Sequence, residues 1–61
     1  MPLVTIKSVA GRTIEQKRGL VKDVTEAVVK NFGVKPESVT IDILEYGREN
    51  FAQSGKLFID R

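Results

Sequence analysis

The chain contains neither cysteine nor histidine among its 61 residues. Their absence excludes disulfide bonds, thiolate nucleophiles, zinc sites of the Cys/His type and any mechanism in which imidazole is the base. We therefore predict neither a metal nor a cofactor. A chain this short buries only about 60% of the surface that its unfolded form exposes, and it normally needs a disulfide, a metal or subunit partners for stability. Oligomerisation is the stabiliser that remains.

Long apolar runs are absent as well. No segment approaches the ~20 apolar residues of a membrane span, and residues 1–9 lack the basic and apolar regions of a signal peptide. A hydrophobic content of 41% with 30% charged residues is typical of a small globular domain. We predict a single domain over residues 1–61, a cytoplasmic location and no membrane partner.

Blocks of like charge are also missing. Ten Lys and Arg residues stand against eight Asp and Glu residues, and the two signs are interleaved along the chain. A nucleic-acid-binding protein would gather its basic residues into a patch and would show a steep dependence of affinity on salt. We therefore predict no nucleic-acid partner.

Two segments alternate between apolar and polar residues, which is typical of half-buried strands. The first covers residues 2–9 and the second covers residues 39–45. The predicted apolar faces consist of Val4, Ile6, Val39, Ile41 and Ile43.

A helix is predicted between these strands. Thr13 and Gln16 have the spacing of a capping box, and Gly33 is a natural stop at the other end. Helical periodicity gathers one apolar arc, on which only Lys17 and Asn31 intrude. Its apolar members are Ile14, Leu20, Val21, Val24, Ala27, Val28 and Phe32.

Two strands joined by such a helix predict an α+β fold built on a right-handed parallel β-α-β unit. The helix covers one sheet face, and the other face is left half-apolar, with Lys7 and Asp42 placed to form an ion pair. The tail, residues 46–61, is predicted to form a loop or hairpin and then a short strand. Because a two-stranded sheet would leave a face and both edges open, we expect a second subunit to extend it.

Two residues could carry chemistry. Arg12 stands just before the helix N-cap, where an anion is favoured, and its planar guanidinium suits a carboxylate, although a solvated loop arginine is the simpler interpretation. Pro2 either blunts an edge strand or, once Met1 is removed, becomes a secondary amine that can act as a base. Such a base needs a lowered pKa, which burial among apolar groups and nearby cations both favour.

Taken together, these features resemble the 4-oxalocrotonate tautomerase family over almost the whole chain. The most specific elements are Pro2 and the turn Gly11-Arg12-Thr13 at their mutual spacing. The remaining elements are Glu15-Gln16-Lys17-Arg18, Val24-Thr25-Glu26-Ala27, Ser38-Val39 and the segment from Phe51 to Gly55.

The resemblance implies a β-α-β protomer that pairs into a dimer with a four-stranded sheet, and dimers that assemble into a hexamer. It further implies that the amino-terminal proline, Pro2, shuttles a proton between oxygen and carbon of an enol or dienol. Arg12 matches the position that binds a substrate carboxylate, and Phe51 matches a position that lines an apolar wall.

The chain departs from this family at one informative position. Members that act on dicarboxylates carry a second arginine near the start of the second strand, where this chain has Thr40. A threonine cannot neutralise a carboxylate, which favours a substrate with a single carboxylate. Hydratase and dehalogenase relatives use a carboxylate in the tail, and residues 50–55 contain none, although Glu49 lies just outside them.

The leading hypothesis is a tautomerase acting on a small enolisable 2-oxo acid, with Pro2 as base and acid, Arg12 as carboxylate anchor and Phe51 as hydrophobic wall. Two alternatives remain open at this point. One is a non-catalytic oligomeric module in which Pro2 only caps an edge strand. The other is a promiscuous relative of the hydratase or dehalogenase type.

Overall fold

The chain alternates strand, helix and strand and ends in a hairpin. The computed structural model describes all residues, from Met1 to Arg61. Its strands and long helix, in chain order, are β1 (Leu3–Val9), α1 (Ile14–Phe32), β2 (Thr40–Tyr46), β3 (Ala52–Gln53) and β4 (Lys56–Leu57). Single 3₁₀ turns follow at Pro36–Ser38, Arg48–Asn50 and Phe58–Asp60.

The strands β1 and β2 pair in parallel, so the predicted β-α-β unit is confirmed. The register begins at Leu3 opposite Thr40, whose amide donates to the Pro2 carbonyl at 3.0 Å. β2 begins one residue later than predicted. The reason is that the Val39 amide donates to the Pro36 carbonyl at 3.1 Å, which makes Val39 part of the preceding 3₁₀ turn.

Both ends of α1 are determined by local side-chain and backbone chemistry, as predicted. The Thr13 hydroxyl accepts from the Gln16 amide at 3.1 Å, and the Gln16 side-chain oxygen accepts from the Thr13 amide at 2.9 Å. At the other end Gly33 adopts a left-handed conformation with φ 68° and donates its amide to the Val29 carbonyl. These contacts satisfy backbone groups that a helix end otherwise leaves unpaired.

The predicted apolar arc of α1 is covered only in its middle. Val21, Val24 and Val28 are half-buried, whereas Ile14 is 59% and Phe32 69% exposed. A helix of 19 residues is about 28 Å long, and strands of seven residues span about 23 Å, so the ends of α1 extend past the sheet. Within the single chain the arc is therefore a core face only in its middle.

The single chain is extended for its size, and none of its residues is fully buried. Its radius of gyration is 14.7 Å, against about 10.5 Å for a compact domain of this length. Its accessible surface is 4812 Å², against about 4,000 Å² for a monomer of this mass. A chain folded alone would thus keep an unusually large apolar area in water.

The sheet face opposite α1, here called the outer face, is uncovered. It consists of Leu3, Thr5, Lys7, Thr40, Asp42 and Leu44, all exposed. Within the single chain Lys7 and Asp42 form no ion pair, and the register places Asp42 beside Thr5, whose hydroxyl donates to its carboxylate at 2.8 Å. Their pairing at an interface between copies stays a prediction.

The tail forms the hairpin that was one of the two predicted alternatives. β3 and β4 pair in antiparallel fashion around a two-residue turn in which Ser54 and Gly55 have φ values of 55° and 76°. Positive φ at both central residues is the requirement of a type I′ turn. The chain then ends in a 3₁₀ turn and not in the predicted short strand.

None of the helices is both long enough and apolar enough to cross a membrane.

Candidate active site

A cleft of about 220 Å³ lies between the carboxyl-terminal half of β1 and the first turns of α1. We call it the Arg12 cleft. It is lined by Ile6, Ser8, Arg12, Gln16, Lys17, Leu20 and Ile43. Gly11 has a φ of 133°, which a residue with a side chain rarely adopts, and this conformation turns the chain from β1 towards the helix. The turn thereby places Arg12 at the mouth of the cleft.

The Arg12 cleft carries an unpaired positive charge. Lys17 forms an ion pair with Glu45 on β2, and the two side chains are only 27% and 30% exposed. The Arg12 guanidinium, in contrast, makes no hydrogen bond or ion pair within the chain. It is therefore free to bind an anion, and its fork of donors matches a carboxylate.

The ion pair between Lys17 and Glu45 was missed by the sequence analysis. The signal was available, because Lys17 lies on the arc of α1 that faces the sheet. By alternation Glu45 shares the face of Ile41 and Ile43, which also points towards the helix. Two opposite charges were thus directed into one layer, where they pair, and Lys17 also lines the Arg12 cleft.

Pro2 lies at the amino-terminal start of β1 and is half-buried. Its carbonyl accepts from the Thr40 amide, and alternation places its ring on the same sheet face as Val4 and Ile6. With Met1 attached its nitrogen is an amide, and removal of Met1 would leave a secondary amine.

Pro2 and Arg12 lie at opposite ends of β1. Ser8, which lines the Arg12 cleft, is six residues beyond Pro2, a separation of roughly 20 Å along a strand. Within one chain the two predicted site residues are therefore not brought together.

Phe51 follows the 3₁₀ turn at Arg48–Asn50 and is 39% exposed. Its ring contacts the ring of Phe58 edge-to-face, with centroids 4.8 Å apart and an interplanar angle of 89°. It does not line the Arg12 cleft of its own chain. Like Pro2, it stands apart from Arg12 in the single chain.

The structure also places Thr40 and Glu49, the two residues that bear on the substrate class. Thr40 is next to Pro2 at the start of β2, with its side chain on the outer face and its hydroxyl 3.9 Å from the Met1 sulfur. Glu49 folds back over Gly47, where an added Cβ would meet its carboxylate. Glu49 thus lies outside the residues that line the Arg12 cleft.

A second, more open groove of about 530 Å³ runs along the flank of α1. It is lined by Val21, Lys22, Thr25, Glu26, Val29, Lys30 and Pro36. None of the predicted site residues lies in it, and its lysines and glutamate include an i, i+4 pair, Lys22 and Glu26, at 3.9 Å. Volume alone therefore does not identify the site.

Comparison with known proteins adds independent information. The family model described as tautomerase enzyme matches residues 2–61. The chain is 45% identical over 60 residues to 2-hydroxymuconate tautomerase of Bacillus subtilis, covering 98% of this chain and 97% of that protein.

Solved structures agree with this result. A 4-oxalocrotonate tautomerase homologue that is 33% identical superposes with a TM-score of 0.96, covering 100% of this chain and 97% of the other. A heterohexamer 4-oxalocrotonate tautomerase from Chloroflexus aurantiacus J-10-fl is 27% identical and superposes with a TM-score of 0.89. The match covers 98% of this chain and 97% of the other. The match extends over the strands, the helix and the tail alike.

Proposed function

The chain belongs to the tautomerase family and is an isomerase similar to 4-oxalocrotonate tautomerase, and from this premise we propose that it interconverts the enol and keto forms of a small 2-oxo acid with Pro2 as the proton carrier. The proposed roles are general base and then acid for Pro2, carboxylate anchor for Arg12 and hydrophobic wall for Phe51. The kinship with named tautomerases favours an enzyme over the non-catalytic module.

The observation that carries the proposal is that no hydrogen bond of the sheet involves the Pro2 nitrogen. Only the Pro2 carbonyl takes part in the pairing with β2, and a proline nitrogen has no hydrogen to donate. Removal of Met1 would therefore free a secondary amine without breaking a backbone hydrogen bond of the sheet. The half-buried position of Pro2 helps to keep that amine neutral, because burial disfavours the charged form.

The chemistry follows from a neutral amine beside a bound enol. The amine takes the proton of the enol hydroxyl while the oxygen becomes a carbonyl, and the resulting ammonium delivers a proton to the carbon that receives the electron pair. No atom is gained or lost, and Pro2 returns to its starting state. Arg12 holds the carboxylate of the substrate, and Phe51 excludes water from the amine.

A site of this kind needs residues from more than one copy of the chain. Ile6, the cleft residue nearest to Pro2 along β1, is roughly 13 Å from it, which exceeds the length of a small 2-oxo acid. We propose a homo-oligomer, with a hexamer favoured and a dimer as the minimum. The extended shape of the single chain and the exposed outer face support this assembly, and the Chloroflexus aurantiacus relative is a heterohexamer.

Sedimentation at micromolar concentration is expected to show the hexamer. The physical reason is that Leu3 is 70% and Phe32 69% exposed in the single chain, so that association removes apolar surface from water. A stable, well-folded monomer would contradict both the assembly and the shared site.

The activity itself is tested with a panel of enol 2-oxo acids, followed by the change in ultraviolet absorbance as the enol becomes the ketone. The protein must first be shown by N-terminal mass spectrometry to begin at Pro2. We expect catalysis with monocarboxylates of this class. A panel without a single substrate, assayed with protein that begins at Pro2, would refute the proposed reaction.

Thr40→Arg tests the substrate class. The Thr40 side chain lies on the outer face at the start of β2, and on the proposed assembly a guanidinium there reaches the site of a neighbouring copy and adds a second anchor for a carboxylate. We expect the ratio of kcat/KM for dicarboxylates, such as 2-hydroxymuconate, to that for monocarboxylates to rise by about tenfold or more. Thr40→Lys adds charge without the planar fork and should give a smaller change. An unchanged ratio would show that position 40 does not reach the substrate.

A further inference from the structure

Phe58 differs from the rest of the tail in its exposure to solvent. From Arg48 to the end of the chain it is the one residue that is not exposed. It opens the final 3₁₀ turn, immediately after β4, and its amide, its carbonyl and its ring all make contacts within the tail.

Phe58 contacts Phe51 through both backbone and side chain. The Phe58 amide donates to the Phe51 carbonyl at 2.9 Å, and the two rings meet edge-to-face with centroids 4.8 Å apart. This arrangement of two aromatic rings is favourable beyond the burial of area. It also leaves the Phe51 ring few alternative orientations, since a change of rotamer would break the ring contact.

Arg48 and Arg61 both contact Phe58. Arg48 donates to the Phe58 carbonyl at 2.7 Å, and the Arg61 guanidinium carbon lies 4.6 Å from the centre of the Phe58 ring. Arg61 also donates to the Gln53 backbone carbonyl at 3.1 Å, which ties the ring to β3. A cation stacked on a ring and anchored at its other side restrains that ring against rotation.

We propose that Phe58 is a positioning residue for the reaction: held by Arg48 and Arg61, it fixes the orientation of the Phe51 ring that excludes water from the Pro2 amine. The inference rests on the role proposed for Phe51. Phe58 does not touch the substrate and acts only through Phe51. Its edge-to-face contact makes the aromatic character of residue 58, and not only its volume, the property that matters.

The test is a double-mutant cycle between Phe51 and Phe58 in protein that begins at Pro2. We expect Phe58→Ala to lower kcat about three- to tenfold, which is the range of an aromatic pair contact, with a smaller change in KM. Phe58→Tyr keeps the ring and should retain activity close to that of the unmodified protein. The double variant should be no slower than Phe51→Ala alone, because Phe58 then has nothing left to position.

Arg61→Gln provides a second measurement that does not remove the tail ring. We expect it to lower kcat in the same direction, whereas Lys56→Gln should not. Lys56 lies in the same tail, in β4, and its substitution removes the same charge, but its side chain makes no hydrogen bond or ion pair. Sedimentation of every variant shows whether the assembly is intact. If the oligomer of the Phe58→Ala variant dissociates, the comparison of Arg61→Gln with Lys56→Gln decides the outcome.

Three results would overturn the proposal. If Phe51→Ala lowers kcat while Phe58→Ala and Arg61→Gln leave it unchanged, Phe58 has no positioning role and the function proposed for Phe51 stands. If the two alanine substitutions lower kcat additively, Phe58 acts independently of Phe51. If Phe51→Ala itself changes nothing, the proposed wall and the positioning role are both wrong.

Discussion

Pro2→Ala, in protein that begins at residue 2, is expected to lower kcat by roughly ten- to a hundredfold while the fold stays intact. Alanine leaves an amine at the chain start, but a primary amine with different basicity and without the ring that orients the lone pair. The sheet should tolerate the change, because β1 uses only the carbonyl of Pro2. Steady-state kinetics with circular dichroism as the control for folding measure the effect.

Blocking the nitrogen should have a larger effect than replacing the ring. An acylated amine, or retention of Met1, leaves no basic lone pair, so turnover should fall by the full 10²- to 10⁴-fold that a general base typically contributes. The unmodified enzyme should show kcat/KM rising with pH as the amine loses its proton, and then a plateau. If acylation leaves turnover unchanged and this ascending limb is missing, Pro2 is not the base.

Arg12→Ala is expected to raise KM by roughly 10- to 150-fold with little change in kcat, which corresponds to the loss of a hydrogen-bonded charge contact. The guanidinium has no partner within the chain, so its removal should not destabilise the fold. Arg18→Ala is the matched control, because Arg18 is paired with Glu15 on the solvent side of α1. A comparable rise in KM for both variants would show an effect of net charge and not of an anchor.

Mixed oligomers test whether the Pro2 and the Arg12 of one site come from different copies of the chain. Subunits carrying Pro2→Ala and subunits carrying Arg12→Ala are unfolded together and refolded. If each site combines Pro2 of one copy with Arg12 of another, about a quarter of the sites in a random mixture have both residues intact and activity returns. Mixed oligomers no more active than the separate variants would place both residues of a site in one copy.

The parts of the fold that depend on near neighbours in the sequence could be predicted. The helix bounds follow from Thr13 and Gly33 because each satisfies backbone groups within one turn of itself. The strands follow from alternation, with errors of one residue at the start of β1 and at both ends of β2, where Val39 gives its amide to the preceding 3₁₀ turn. The candidate residues Pro2 and Arg12 could be named for a similar reason, since a chain start and an N-cap are visible without a structure.

What escaped prediction depends on the relative placement of distant segments. Alternation places Lys7 and Asp42 on one face but says nothing of the register, which sets Asp42 beside Thr5. The contacts of Phe58 require the tail to fold back on itself through a turn in which Ser54, a residue with a side chain, has a positive φ.

The absence of any fully buried residue has a consequence for the lifetime of the protein in a cell. On the proposed assembly, folding and association are one equilibrium, so the folded fraction depends on the amount of chain synthesised. Dilution then favours the unfolded chain, so the melting temperature should fall as the protein is diluted. Newly made chains remain accessible to proteases until they associate. The fraction of such a chain that is stable therefore rises with the level at which its gene is expressed.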